Sequence, residues 1–260
     1  MWALLASLGY YAWVFASCEL VRQLLQPLLG EGRARNCLLE FLATLQICVC
    51  IFEGSIVGQY YGQTAYWVAV AGVVWLHCQV KRAGVHANPS SLLEAWTGGC
   101  LPTPSFLALL LAECLAGWLA FHMARQFWRL EFLPQHGERF KDYRCTTDLT
   151  VPPQLGIVYE GAASLFDRLF WLIAESRLSP ESATALGSAQ VATLTVIGVH
   201  YTGMYFNPIL ASTMTLGCSG SSLLEHLLVY WLGPFVGWRI GSIAFRRLPA
   251  PPYQEKAKAD

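Results

Sequence analysis

Two Asn-Pro pairs, Asn88-Pro89 and Asn207-Pro208, carry the residue types that begin a helix. Asparagine is a favoured N-cap, and proline is favoured at the first helical position because the N–H groups of the first turn have no partner inside the helix. The short apolar stretch after each pair cannot cross a bilayer, which takes about 20 apolar residues. Each pair therefore predicts a half-helix that points a positive dipole end and an asparagine amide into the protein.

Two half-helices that meet inside a membrane would hold a small neutral molecule through its lone pairs and would disfavour cations. The alternative is ordinary turn chemistry between helices, which is the better interpretation of a single Asn-Pro pair. Here the two pairs occupy matched positions of an internal repeat. This match favours a pore for small neutral solutes.

The repeat also contains a glutamate within an apolar run. Glu40 lies 48 residues before Asn88, Glu160 lies 47 residues before Asn207, and a glycine stands four positions before each asparagine. Within each unit two long apolar segments precede the Asn-Pro pair and one follows it, so the second unit enters the membrane from the opposite face. The sequence predicts two inverted repeats.

The two glutamates are costly in lipid, so they should face the protein interior and accept hydrogen bonds from irregular backbone. Proton relay is the alternative role for them. His86 and His200 have no second ligand at metal spacing, so the sequence predicts neither a metal site nor a cofactor. No nucleophile and base stand at usable spacing either, and we therefore predict no catalytic residue.

The composition indicates which elements position these residues. The 260 residues are 55% hydrophobic and include only 17 basic and 17 acidic residues, which is typical of a membrane protein. The zero net charge and the lack of a basic stripe argue against a nucleic-acid partner. Seven segments are long and apolar enough for helical spans: 2–25, 37–57, 65–82, 104–128, 155–174, 186–202 and 223–245.

These segments predict an all-α membrane protein with five parts. An extra N-terminal hydrophobic helix (1–30) either spans the membrane or lies along its surface. The first inverted repeat (37–128) and the second (155–245) flank a polar loop (129–154), and a disordered tail (246–260) ends the chain.

Most of the nine cysteines lie in apolar runs, where cysteine behaves as a small hydrophobe. Cys145 and Cys218 instead fall in polar loops and could be bridged on an oxidising face, although spacing alone does not assign a pairing. Glycines 233, 237 and 241 recur every four positions in the last segment. This spacing favours close helix packing.

Four motifs in order resemble the aquaporin (major intrinsic protein) family: E-F-L-A-T near 40, H-A-N-P at 86–89, Y-T-G-x-x-x-N-P at 201–208 and Y-W-L-G-P-F-V-G at 230–237. The resemblance covers residues 37 to about 245. It implies six tilted helices and two central half-helices in a lipid bilayer, usually in a homotetramer with one pore per subunit.

The altered first motif, N-P-S, and the position of Cys218 nine residues after the second motif resemble the divergent superaquaporin branch. That branch is associated with intracellular membranes, so the resemblance implies the endoplasmic reticulum or vesicles. The family topology places the start of segment 37–57 and the tail in the cytosol. Twelve of the 17 basic residues then lie on that side, in agreement with the positive-inside rule.

The resemblance also assigns the pore residues. At the centre it places Asn88, Pro89, Ser90, Asn207, Pro208 and Ile209. An alignment without gaps places the selectivity constriction at Val68, Thr195, Met204 and Leu210.

Leu210 stands where the family normally has an arginine, so the constriction should be apolar and uncharged. Ile209 replaces a small alanine and would add bulk beside the asparagines. Water, glycerol and hydrogen peroxide all remain open as permeants. The alternative is a non-conducting structural or interaction protein that retains the fold.

Overall fold

The computed structural model describes residues 2–81, 84–141 and 144–249, and these residues are mostly helical, with no strand among them. The predicted tail from residue 250 onward lies outside the described residues. The helices are α1 (Trp2–Leu25), α2 (Arg33–Val80), α3 (Pro89–Thr97), α4 (Thr103–Trp128), α5 (Pro134–Lys141), α6 (Pro153–Arg177), α7 (Pro180–Thr202), α8 (Pro208–Thr215), α9 (Leu223–Leu227) and α10 (Gly233–Arg246).

Four stretches are long and apolar enough to cross a membrane: Arg33–Val80, Thr103–Trp128, Pro180–Thr202 and Leu223–Arg246. The last of these comprises α9 and α10, which a π-helical turn joins. The fold is therefore that of an all-helical membrane protein.

Helix α2 combines two segments that the sequence predicts to be separate. Its 48 residues run without a loop, and only Gly62 leaves the helical conformation, with φ 79° and ψ −179°. Gly62 is thus a kink at which two helices meet, and it lies inside the predicted joint at 58–64, whose other residues are helical. At about 1.5 Å per residue, α2 is more than twice as long as the bilayer core is thick, roughly 30 Å.

The two halves of the chain repeat the same helix contacts. In the first half α2 packs against α4, and in the second half α6 packs against α10. The short helix α3 contacts α10, while the short helix α8 contacts α4. Each short helix therefore packs on the last long helix of the other half, and α3 and α8 also contact each other.

Glycines allow α6 and α10 to approach closely. A Cβ atom on Gly237 would lie 1.9 Å from the Gly161 carbonyl oxygen, and one on Gly233 would lie 3.0 Å from the Ile157 carbonyl oxygen. The close packing that the glycine spacing predicts is confirmed.

Helix α1 lies antiparallel along the first half of α2. The Ser7 hydroxyl donates to the Glu53 carboxylate at 2.5 Å, and the Tyr10 hydroxyl donates to the Val49 carbonyl at 2.8 Å. On the other Glu53 oxygen, the His136 imidazole of α5 makes a contact of 3.1 Å. The predicted polar loop therefore contains a short helix, α5, that is fixed to the bundle through a buried glutamate.

Candidate functional site: the asparagine pair and its cavity

Each asparagine caps the short helix that follows it. The Asn88 Oδ1 atom accepts from the Ser90 backbone N–H at 2.9 Å, and the Asn207 Oδ1 atom accepts from the Ile209 backbone N–H at 3.1 Å. The proline after each asparagine is the first residue of the helix. The Asn-Pro pairs therefore begin α3 and α8, as their residue types favour.

The two caps contact each other reciprocally. The Asn207 amide donates to the Ala87 carbonyl at 2.9 Å, and the Asn88 amide donates to the Phe206 carbonyl at 3.5 Å. Each amide nitrogen has two N–H bonds, and each uses one of them for the other loop. The second N–H of each asparagine has no further acceptor among the described residues and can donate to a solute.

The two glutamates hold the loops that lead into the asparagines. The Glu40 carboxylate accepts from the backbone N–H groups of His86, at 3.1 Å, and of Ala87. The Glu160 carboxylate accepts from those of Tyr205, at 3.1 Å, and of Phe206, at 2.7 Å. In both cases the donors are the two residues directly before the asparagine, and both carboxylates are fully buried.

The backbone before each asparagine is strained in the same way. Ala87 has φ 53° and Phe206 has φ 35°, a region that side chains disfavour. Four positions before each asparagine, Gly84 and Gly203 have φ 82° and 84°, which glycine adopts without a steric cost. The glutamate hydrogen bonds stabilise these turns, because such strain persists only where its surroundings impose it.

A cavity ends on the asparagine pair. It offers about 170 Å³ to the centres of water-sized molecules, many times the volume of about 10–15 Å³ that one water needs. Its wall is mainly apolar, with Thr195, Met204 and Leu210 beside the two asparagines. The wall on α2 consists of Ile47, Cys50, Ile51 and Gly54 before the kink and Tyr66, Ala69, Val70, Val73 and Val74 after it.

The structure does not bring Val68 to this cavity. Its side chain is 59% exposed on the outside of the bundle, whereas Tyr66 and Val70 face the cavity. Residues three or four positions apart share a helix face, and Val68 is about 200° around the axis from Tyr66. Val68, which the sequence assigns to the constriction, therefore does not line this cavity, whereas Tyr66 does.

Ile209 also lies elsewhere than the sequence suggests. Its side chain is buried against α4, where a Cβ atom on Gly117 would lie 2.9 Å from Ile209 Cγ2. Leu210, the next residue, lines the cavity and Ile209 does not. The expected bulk beside the asparagines is thus directed into a site that Gly117 leaves open. Ser90 is buried in the first turn of α3 and lines a groove between α3 and α10.

A wider vestibule of about 840 Å³ adjoins the cavity and shares Tyr66, Gly203 and Tyr205 with it. Five charged residues from α5 and the loop after it line the vestibule: Glu138, Arg139, Lys141, Arg144 and Asp148.

Asp148 is hydrogen-bonded to the Tyr205 hydroxyl. Burial raises the pKa of Asp148 above its usual range, and the Tyr205 hydrogen bond and the Arg139 charge oppose that shift. The vestibule is thus lined by charged residues, and the cavity that adjoins it is mainly apolar.

Cys145 and Cys218 form a disulfide, with their Cα atoms 4.8 Å apart. A parallel β-bridge between Thr146 and Ser219 continues the contact. The loop after α5 is therefore joined to the end of α8. The sequence left this pairing open because the spacing of two cysteines 73 positions apart does not indicate that they are close in the fold.

Sequence reasoning missed three residues of this site, namely Tyr66, Asp148 and Asp167. Asp167 lines the cavity from α6 and is buried, with 6% of its side chain exposed. Its spacing of seven from Glu160 on one helix places both acids on the same face and was the available signal.

The class of protein follows from two features. Long apolar helices surround two short helices that are each capped by an asparagine, and a cavity ends on these two caps. It is a helical membrane protein built around an internal and largely apolar cavity.

No protein-family model matches the chain, but individual proteins are similar over most of its length. Aquaporin-11 of Milnesium tardigradum is 24% identical over 237 residues, which are 91% of this chain and 85% of that protein. Putative aquaporin-12A of Homo sapiens is 28% identical over 246 residues, 94% of this chain and 80% of that protein. Putative aquaporin-10 of Caenorhabditis elegans is 25% identical over 263 aligned positions, 99% of this chain and 92% of that protein.

The curated homologues of this chain are thus the superaquaporins, aquaporin-11, -12 and -10, over about 90% of its length. The predicted resemblance, which included a likeness to aquaporin twelve, is confirmed. At the level of the family the similarity supports a channel for water or small solutes.

Proposed function

We propose that this protein is a passive channel for water and small neutral solutes, with glycerol and hydrogen peroxide as the further candidates. The observation that carries the proposal is the reciprocal contact of Asn88 and Asn207 at the end of a cavity that adjoins a vestibule. Two helix N-termini and two free amide N–H bonds there favour lone pairs and disfavour cations.

The constriction favours a solute that needs few hydrogen bonds. Leu210 and Met204 are apolar, and Thr195 supplies one hydroxyl. Leu210 stands in place of the family's arginine. The pore therefore lacks a hydrogen-bond donor to water or glycerol and a positive charge that would repel cations. We therefore place glycerol and hydrogen peroxide beside water as permeants.

The proposed architecture has six transmembrane helices and two half-helices in inverted repeats. Helix α2 crosses the bilayer twice, with its turn at Gly62, because its length suffices for two spans. Helices α4, α6, α7 and the α9–α10 pair make the other four crossings. Helices α3 and α8 enter from opposite faces and meet at the asparagines, which agrees with the reciprocal contacts of the two halves.

Helix α1 is proposed to cross the membrane as well. It follows the first half of α2 lengthwise, with hydrogen bonds at Ser7 and Tyr10, as a neighbouring span would. Its N-terminus then lies on the same face as α5 and the vestibule.

The disulfide supports a location in which this face is oxidising. Cys145 and Cys218 both lie at the vestibule end of the molecule, and disulfides persist in the lumen of the secretory pathway rather than in the cytosol. We propose the endoplasmic reticulum or vesicles derived from it, with the tail in the cytosol. A homotetramer with one pore per subunit is proposed from the family alone.

The test is stopped-flow light scattering on proteoliposomes that hold the purified full chain. Sucrose, glycerol and hydrogen peroxide gradients are applied in turn, with protein-free liposomes as the control. Volume changes faster than the control for at least one solute support the channel and identify its permeant.

The second candidate is a non-conducting structural protein with the same fold. Its main argument was that Ile209 would block the pore, and the position of Ile209 against Gly117 weakens that argument. Rates equal to the control for all three solutes, with protein that is folded and inserted, would favour this second candidate.

A further inference from the structure

Asp167 places a carboxylate in the wall of the cavity. It is the one charged residue among the described residues that line this cavity. Its side chain is 6% exposed, and its Oδ1 atom has no hydrogen-bond partner among the described residues. The carboxylate has a side-chain hydrogen bond with Trp171, but burying its Oδ1 atom without a partner is costly, so its place in the cavity wall points to a solute that supplies the missing hydrogen bond.

The charge of Asp167 opposes the field of the half-helices. Each helix N-terminus is equivalent to roughly half a positive charge, so α3 and α8 together present about one positive charge to the cavity. Glu40 and Glu160 already place a carboxylate at the start of each half-helix, so the Asp167 carboxylate adds a further negative charge on the cavity wall. Because Leu210 replaces the arginine of the family, the cavity wall supplies no fixed cation to restore the barrier.

We propose that Asp167 makes this pore permeable to small cations of the ammonium type, in addition to the neutral solutes proposed above. The inference rests on the proposed channel function. An ammonium or methylammonium ion carries its own N–H donors, which the Asp167 carboxylate and the Thr195 hydroxyl can accept. Potassium has no donors and needs a shell of several oxygens, which these apolar walls do not offer.

The experiment measures the uptake of radiolabelled methylammonium at neutral pH into proteoliposomes of the full chain. A potassium gradient with valinomycin makes the interior negative, and a second set of vesicles has no potential. Uptake of the cation increases with the potential, whereas uptake of the neutral amine does not. Water flux is measured on the same vesicles by light scattering.

We expect wild-type uptake to increase with the potential, and Asp167→Asn to lower this component about tenfold or more relative to the water flux of the same vesicles. Asp167→Glu keeps the charge and should retain the uptake. Glu175→Gln is the matched control, because Glu175 is an exposed acid on the same helix. It should change neither flux.

Potential-independent uptake by the wild-type protein would overturn the inference, and this result needs no variant to fold. Equal potential-driven uptake by Asp167→Asn and wild type would overturn it as well. Water flux without potential-driven methylammonium uptake would refute this inference alone. Wild-type vesicles that pass neither water nor methylammonium would refute the proposed channel too.

Discussion

Each asparagine side chain makes two kinds of contact. The Oδ1 atom caps a helix, one N–H bond donates to the opposite loop, and the other N–H bond has no acceptor among the described residues. Glu40 and Glu160 make this possible, because they satisfy the two backbone donors directly before each asparagine. The site therefore depends on a few buried hydrogen bonds whose partners are distant in sequence.

A substitution of Tyr66 tests whether this residue limits the width of the proposed pore. Its ring packs between the cavity and the α2 glycines, since a Cβ atom on Gly54 or on Gly58 would lie 3.4 Å from it. Replacing Tyr66 by Ala widens the narrow part, and we expect glycerol flux to rise roughly fivefold because pore diameter limits the larger solute. Proteoliposome swelling in glycerol measures this.

Val68→Ala provides the control for Tyr66→Ala, because Val68 is two residues away on the outer face of the same helix. It should leave glycerol flux unchanged. A larger effect at Val68 than at Tyr66 would show that the constriction has been assigned to the wrong face of α2.

The comparison of Val68 with Tyr66 shows which parts of the site can be predicted from sequence spacing. The Asn-Pro pairs and their glutamates could be predicted because a local rule, helix capping, marks them. The wall of a cavity has no such local mark, since the same apolar residues face lipid on one side of α2 and the solute on the other. A shift of two residues along a helix reverses the face.

At the scale of elements, the contact between α6 and α10 should limit stability. Gly237→Ala forces a methyl group against the Gly161 backbone, and overpacking of this kind costs about 1–3 kcal/mol. Gly72→Ala is the matched control, because that helical glycine has open space around it and alanine favours a helix by about 1 kcal/mol.

Thermal unfolding in detergent measures both variants. We expect a lower unfolding temperature for Gly237→Ala and an unchanged or higher one for Gly72→Ala. If both variants unfolded at the wild-type temperature, the close approach of α6 and α10 would be contradicted.

The long elements could be predicted from apolar length, but two details could not. The joint at 58–64 has the composition of a loop, yet only Gly62 leaves the helical conformation, as a kink between two helices. Helix α5 lies in a polar stretch with no apolar periodicity, and tertiary contacts of His136 and Arg139 with α2 position it. Such contacts are not encoded in local spacing.

At the scale of the whole molecule, the inverted repeats predict which loops lie on which face of the membrane. Cys100, exposed after α3, should face the cytosol, while α5 should face the lumen. A membrane-impermeant maleimide applied to sealed, cytosol-out vesicles should label Cys100. A cysteine introduced as Glu138→Cys, at an exposed position of α5, should react only after detergent is added.

Both cysteines are compared in a background without the other free cysteines, with the Cys145–Cys218 disulfide kept. Labelling of both positions from the same face would contradict the inverted arrangement, whatever the channel conducts.

The most direct measurement is the osmotic permeability of proteoliposomes with wild-type protein and with Asn88→Ala plus Asn207→Ala. We predict that the wild type has a higher osmotic permeability than protein-free liposomes. In the double variant this added permeability should fall about tenfold or more, because both central donors are removed. Gel filtration and thermal unfolding confirm that the variant is folded, and each single variant is measured beside it. Full permeability in a folded double variant would contradict the claim that solutes pass by the asparagine pair.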